Sequence, residues 1–259
     1  STMTMILGAI AGLTIFFGLP FAAMRHVPSK GIAFLNAIAI GVLFFLLYDI
    51  LKQAGTPITN ALAATHTGAS AMPFLGLALA YVGGLALGLV GLVLLSKVVL
   101  ARYKSEGDVS PMALATTIAL GIGSHNFSEG LAIGQSAATG AIQLAAVLII
   151  GFGLHNMTEG FGIAAPLAGR APTGFGQIVR LGLIGGGPTF LGTIVGYRFT
   201  SPVLSVAFLT IAAGAIMWVI GEMTNAGRRI GHKELAAFGL LAGFVLGFGT
   251  DLVLASAGA

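Results

Sequence analysis

The chain has 259 residues, 56% of them hydrophobic and only 8% charged, with a mean hydropathy of +1.00. A soluble domain carries about 25% charged residues, so this composition excludes most soluble enzymes, disordered chains and coiled coils, and indicates a membrane protein. Twelve basic against eight acidic residues give a net charge of +4, too small for a nucleic-acid footprint and better read as markers of membrane topology.

Apolar runs bounded by charge or proline predict eight spans, at approximately 3–24, 31–51, 73–96, 111–138, 144–168, 177–199, 202–223 and 235–256. The first is too long for a signal-peptide core and lacks a basic leader, so it is expected to be a mature helix. The connections at 52–72 and 97–110 are the longest and are expected to be loops, leaving one transmembrane domain over 1–259. Continuous runs of this length argue against a β-barrel, whose strands alternate polar and apolar residues. Forty glycines point to closely packed helices. The fold class expected is therefore an all-α polytopic membrane protein.

Alternate connections differ sharply in charge. One side holds Arg25, Lys30, Lys97, Arg102, Lys104, Arg170, Arg180, Arg228, Arg229 and Lys233, while the other holds only Lys52 and Arg198. Basic loops stay in the cytoplasm. An even number of spans then places both termini outside the plasma membrane of a bacterial or archaeal cell.

Spans four and five repeat one another at an offset of 30 residues. GIGSHNFSEGLAIG at 121–134 matches GFGLHNMTEGFGIA at 151–164 through Gly121/Gly151, Gly123/Gly153, His125/His155, Asn126/Asn156, Glu129/Glu159, Gly130/Gly160 and Ile133/Ile163. Consecutive spans cross in opposite directions, so the repeat is inverted in the bilayer, a recurring transporter design. Positions i, i+1 and i+4 of a helix share a face about 100° wide. His125, Asn126 and Glu129 thus point one way from the middle of span four, as His155, Asn156 and Glu159 do from span five. Ionisable groups at that depth are costly and face the bundle interior. Imidazole nitrogen with carboxylate and amide oxygen suits zinc, iron(II), manganese, cobalt or cadmium, and with no cysteine in the chain no thiolate competes. A His and Glu that merely bond one another to hold helices together is the competing explanation, weakened by the duplication. Gly130 and Gly160, directly after the glutamates, fit close packing first and room for a metal and its water second.

The HNFSEG and HNMTEG segments, in the fourth and fifth of eight spans, resemble the ZIP (Zrt/Irt-like) metal transporters, specifically their GufA-like branch. The resemblance covers the whole chain in topology and about 30 residues in motif. It implies transport of zinc and related divalent cations toward the cytoplasm, with His125, Asn126, Glu129, His155, Asn156 and Glu159 as transport-site ligands. Two positions depart from the pattern. Ser128 and Thr158 stand where many relatives have proline, and their hydroxyls can bond a preceding carbonyl. Span six, GLIGGGPTFLG, has no acid where some relatives supply a bridging glutamate, so one metal, or a second held weakly, is expected.

Asp49 near the outer end of span two, Asp251 toward the outer end of span eight and Glu222 near the inner end of span seven are candidate pathway residues, and equally candidates for hydrated interfacial charges. His26, His66 and His232 fall in loops without a partner cluster. Met157 points about 200° from His155, and gap-filling suits it and the other methionines. Pro166 frees the carbonyl of Gly162 and suggests a hinge. Gly185-Gly186-Gly187-Pro188 is the strongest expected break inside any span and brings span six close to the motif pair.

The function expected is divalent-cation transport, with the metal as substrate and no other cofactor. The partners are the cation and the lipid bilayer, a homodimer is a permitted assembly, and no nucleic acid is involved. The chain has no nucleotide-binding loop. The alternative is an intramembrane metal-dependent hydrolase, against which stand the missing HExxH and the inverted duplication.

Overall fold

The computed structural model describes residues 2–24, 26–102, 110–138, 142–170 and 173–256, and among them every regular element is helical. The helices are α1 (Thr2–Leu13), α2 (Ser29–Thr65), α3 (Met72–Arg102), α4 (Pro111–Ala138), α5 (Ile142–Ala164), α6 (Phe175–Arg198), α7 (Pro202–Ile230) and α8 (Lys233–Ser256). Six segments are long and apolar enough to cross a membrane: Thr2–Ala23, the helices α2, α6 and α7, Met72–Val98 and Lys233–Val253. The polar motifs lie on the other two helices, α4 and α5. Arg25, Lys104 and the connections at 103–109 and 139–141 lie outside the described residues.

Glycine sets the helix pairing. A Cβ on Gly123 or Gly130 of α4 would overlap backbone atoms of Ile184 and Thr189 in α6, so these two helices run parallel at backbone contact. The same holds for α5 and the first span, where Gly160 meets Ile15 and Gly18 meets Met157 and Phe161. Gly84 and Gly88 of α3 face Ala207 and Ile211 of α7, while Gly239 and Gly243 of α8 face Phe34 and Ile38 of α2. Small residues allow such approaches where lipid offers no hydrophobic drive for association.

These contacts occur in equivalent pairs. Gly12 of α1 and Gly186 of α6 meet reciprocally, each blocked by the other's carbonyl oxygen. Gly18 meets Met157 and Phe161, while Gly192 meets Phe127 and Leu131, the residues matched to them by the α4/α5 repeat. Gly41 meets Leu240 and Phe244, as Gly214 meets Leu85 and Leu89. The inverted repeat thus relates α1 to α6, α2 to α7, α3 to α8 and α4 to α5. Carried along α2 and α7 from Gly41 and Gly214, it sets Asp49 against Glu222; along α3 and α8 it sets Ser96 against Asp251.

Several expected boundaries move. The first span is helical only to Leu13 and continues as two 3-10 turns, Thr14–Phe17 and Leu19–Ala23. The Ala11 carbonyl there accepts from the Thr14 hydroxyl at 2.6 Å and from Asn156 Nδ2 at 3.0 Å, and Pro20 has no N–H to extend an α-helix. The 52–72 connection is mostly helix rather than loop, because α2 runs to Thr65 through Pro57. Thr56 and Thr59 donate to the carbonyls of Lys52 and Thr56, giving side-chain bonds beside the proline. At 37 residues, about 55 Å long, α2 exceeds the ~30 Å hydrocarbon layer. Likewise α3 continues to Arg102, shortening the expected 97–110 loop, and α7 to Ile230.

Two expected discontinuities are absent. Helix α6 is continuous through Gly185–Pro188, and the carbonyl that Pro188 frees, Ile184 O, lies against Gly123 of α4. Gly185 and Gly186 serve packing, while Gly187 faces open space. Pro166 follows the end of α5 at Ala164, in a turn, so it terminates the helix instead of hinging it.

Candidate metal centre

His125 and Glu129 lie one turn apart on α4, and His155 and Glu159 one turn apart on the antiparallel α5. All four are at most 5% exposed. One oxygen of Glu129, Oε1, sits between two imidazoles: 3.0 Å from His125 Nε2 and 2.5 Å from His155 Nε2. His125 Nε2 is also 3.7 Å from Glu159 Oε1. The rings are 6.0 Å apart between centroids. Ligand atoms from His125, Glu129 and His155 lie within 4.8 Å of one another, close enough to share one ion.

Six polar atoms here are buried without a hydrogen-bond partner in addition to His125 Nε2: His125 Nδ1, Asn126 Oδ1, Glu129 Oε2, Asn156 Oδ1 and both oxygens of Glu159. Almost all of them are acceptors. Buried polar atoms are normally satisfied, and a buried carboxylate with free oxygens is costly, so this arrangement favours a cation as the missing partner.

The asparagines sit differently from the other four. Asn126 donates Nδ2 to Gly185 O of α6 at 2.9 Å, and Asn156 donates Nδ2 to Ala11 O of α1 at 3.0 Å. Each amide ties its motif helix to a neighbour and leaves its oxygen available. Gly130 and Gly160 are filled by the backbone of the adjoining helix, so they give packing rather than room for metal and water. Thr158 bonds back to the His155 carbonyl at 2.6 Å, whereas Ser128 reaches across to Phe208 O of α7 at 3.1 Å.

Thr189 of α6 was not singled out by its sequence. It is fully buried, one turn beyond Gly185, and its hydroxyl has no partner. A hydroxyl beside Pro188 in an apolar span was the available signal; its repeat counterpart, Ile15, has none.

The three acids divide between two regions. Asp49 is half-buried, accepts from Gln53 Nε2 at 2.5 Å, and lies within electrostatic range of Asp251, His125 and His155. Glu222 lies near Arg229 and lines a separate cavity at the end where α4 begins and α7 ends. The chain matches no protein-family model and no curated protein.

Proposed function

We propose that the protein is a divalent-cation transporter with the His125/Glu129/His155/Glu159 cluster as its transport site. The observation that carries this reading is a set of buried nitrogen and oxygen atoms on two inverted, repeat-related helices, with several oxygens lacking a hydrogen-bond partner. Borderline nitrogen and hard oxygen ligands favour zinc, with iron(II), cadmium and manganese as other substrates. Asn126 and Asn156 add amide oxygens while their nitrogens hold the cluster to α6 and α1.

In this reading the ion arrives past Asp251 and Asp49, loses water at the cluster and leaves toward Glu222. The basic end of the bundle faces the cytoplasm, which sets both termini outside and transport inward. The motif pair and the inverted repeat support membership of the ZIP family, in its GufA-like branch. Plasma-membrane insertion as a multi-pass protein, with assembly as a homodimer, completes the proposal.

Proteoliposome uptake of zinc and cadmium by the wild type, Glu129→Ala and Glu159→Ala tests it, with bound metal counted per chain. Saturable uptake lost in both variants is the expected result. Tight wild-type binding with no flux sinks the transporter reading and advances the intramembrane hydrolase, in which the metal activates water.

A further inference from the structure

The cavity beside Glu222 has a volume of about 720 Å³, within the ~300–1,000 Å³ typical of small-molecule sites. It opens between Ile32 of α2, Pro111 at the start of α4, the turn after α5 and the last turns of α7. Among the described residues, Arg170, Arg228 and Arg229 line it, against one carboxylate, Glu222. Arg229 interacts electrostatically with Glu222. Among the described residues no ion pair involves Arg170 or Arg228.

Arg228 and Arg229 occupy the last turn of α7, where a cation complements the helix dipole. That account does not reach Arg170, which comes from the turn after α5 and meets the other two around one concave space. Pro111 adds the N-terminal, electropositive end of α4 to the same wall. Two elements far apart in sequence therefore bring guanidinium groups to a cavity whose described lining carries an excess of positive charge.

From this we infer that the cavity lined by Arg170, Arg228 and Arg229 is a binding site for a phosphate-bearing anion. Guanidinium forks match phosphate oxygens in charge and geometry. Basic pockets between membrane helices hold anionic lipid headgroups in the same way. The anion comes from a lipid headgroup or from free phosphate. It occupies a place distinct from the buried cluster, and the assignment stands whether or not the protein moves metal. If it does, a bound anion offsets the positive field that an ion reaching Glu222 would otherwise meet.

The test uses the full chain without added metal. Native mass spectrometry counts phosphatidylglycerol and phosphatidylcholine retained by the wild type, Arg170→Gln/Arg228→Gln and Glu222→Gln, and equilibrium dialysis measures inorganic phosphate. Selective retention of phosphatidylglycerol, reduced at least fivefold in the double variant, establishes a lipid source. Saturable phosphate binding without lipid selectivity, equally reduced, establishes a soluble one. Glu222→Gln removes the competing carboxylate and is expected to tighten whichever anion binds, which keeps the test decisive if the double variant fails to fold. Wild-type protein that neither prefers phosphatidylglycerol nor binds phosphate saturably overturns the inference. So does anion binding that Glu222→Gln leaves unchanged or weakens.

Discussion

Asn126 and Asn156, matched by the 30-residue repeat, donate their side-chain amides to backbone carbonyls that are themselves matched, Gly185 of α6 and Ala11 of α1. The amide is therefore structural at its nitrogen and free at its oxygen. Asn126→Ala is expected to lower stability by about 1–3 kcal/mol, since it leaves a buried carbonyl short of a donor. Melting curves in detergent without metal should show this loss. A variant that binds zinc weakly but melts like the wild type would mean that Asn126 acts only as a ligand.

Glu129 occupies the centre of the cluster because a single oxygen faces both imidazoles. Its replacement by Gln keeps the shape and removes the charge. Loss of an outer partner of a metal ligand costs about 10–100-fold in affinity, so loss of this central carboxylate should weaken zinc by at least about 100-fold. Glu159→Gln should also weaken it, by less, because Glu159 lies 3.7 Å from His125 Nε2 and outside the tightest group of three. Isothermal titration with zinc would reveal the order, and equal losses would make the two carboxylates equivalent.

The sequence made α4 and α5 legible for a physical reason: His, Asn and Glu inside apolar runs have few explanations, and their spacing fixed a common face. The rest of the inverted repeat was hidden. It is carried by where glycines touch, as at Gly12/Gly186 and Gly41/Gly214, and not by residues of distinctive chemistry. Hydropathy likewise marked membrane-deep segments but not helix ends. Lys52 closes the apolar run of α2 while the backbone remains helical to Thr65, through Pro57. The Gly185–Pro188 string was misleading because glycine signals both flexibility and contact, and only the neighbouring Gly12 and Gly123 distinguish them.

That distinction gives a test on adjacent residues. A Cβ on Gly186 would overlap the Gly12 carbonyl, whereas a Cβ on Gly187 has nothing within 4 Å. Gly186→Ala should therefore separate α1 from α6 and cost about 1–3 kcal/mol. Gly187→Ala should be neutral or stabilising by up to about 1 kcal/mol, as alanine is the better helix former. Equal effects in thermal melts would show that the α1/α6 crossing does not hold the bundle.

Acid should empty the proposed metal centre. The binding forms are neutral imidazole and ionised carboxylate, so any proton held by the cluster must leave before zinc enters. Zinc affinity is expected to fall steadily from pH 7.5 to 5.5, with proton release on binding measurable by titration in buffers of different ionisation enthalpy. An affinity independent of pH over that window would place the ion on other ligands.

Asp49 and Glu222 stand at matched positions of α2 and α7 yet face different fields, the first beside Asp251 and the second beside Arg229. On the proposed path, the pair of acids would attract a cation toward His125, and the charge at the other end would not. Asp49→Asn should therefore raise the zinc concentration for half-maximal uptake by up to about fivefold, because a partly hydrated charge contributes ~1 kcal/mol or less. Its maximal rate should change little. Raising ionic strength from 0.01 to 0.5 M should shrink the difference between Asp49→Asn and the wild type, as salt screens an attraction that acts at a distance. A defect insensitive to salt would instead make Asp49 a direct ligand, and the outer acids a second binding station in place of an attracting field.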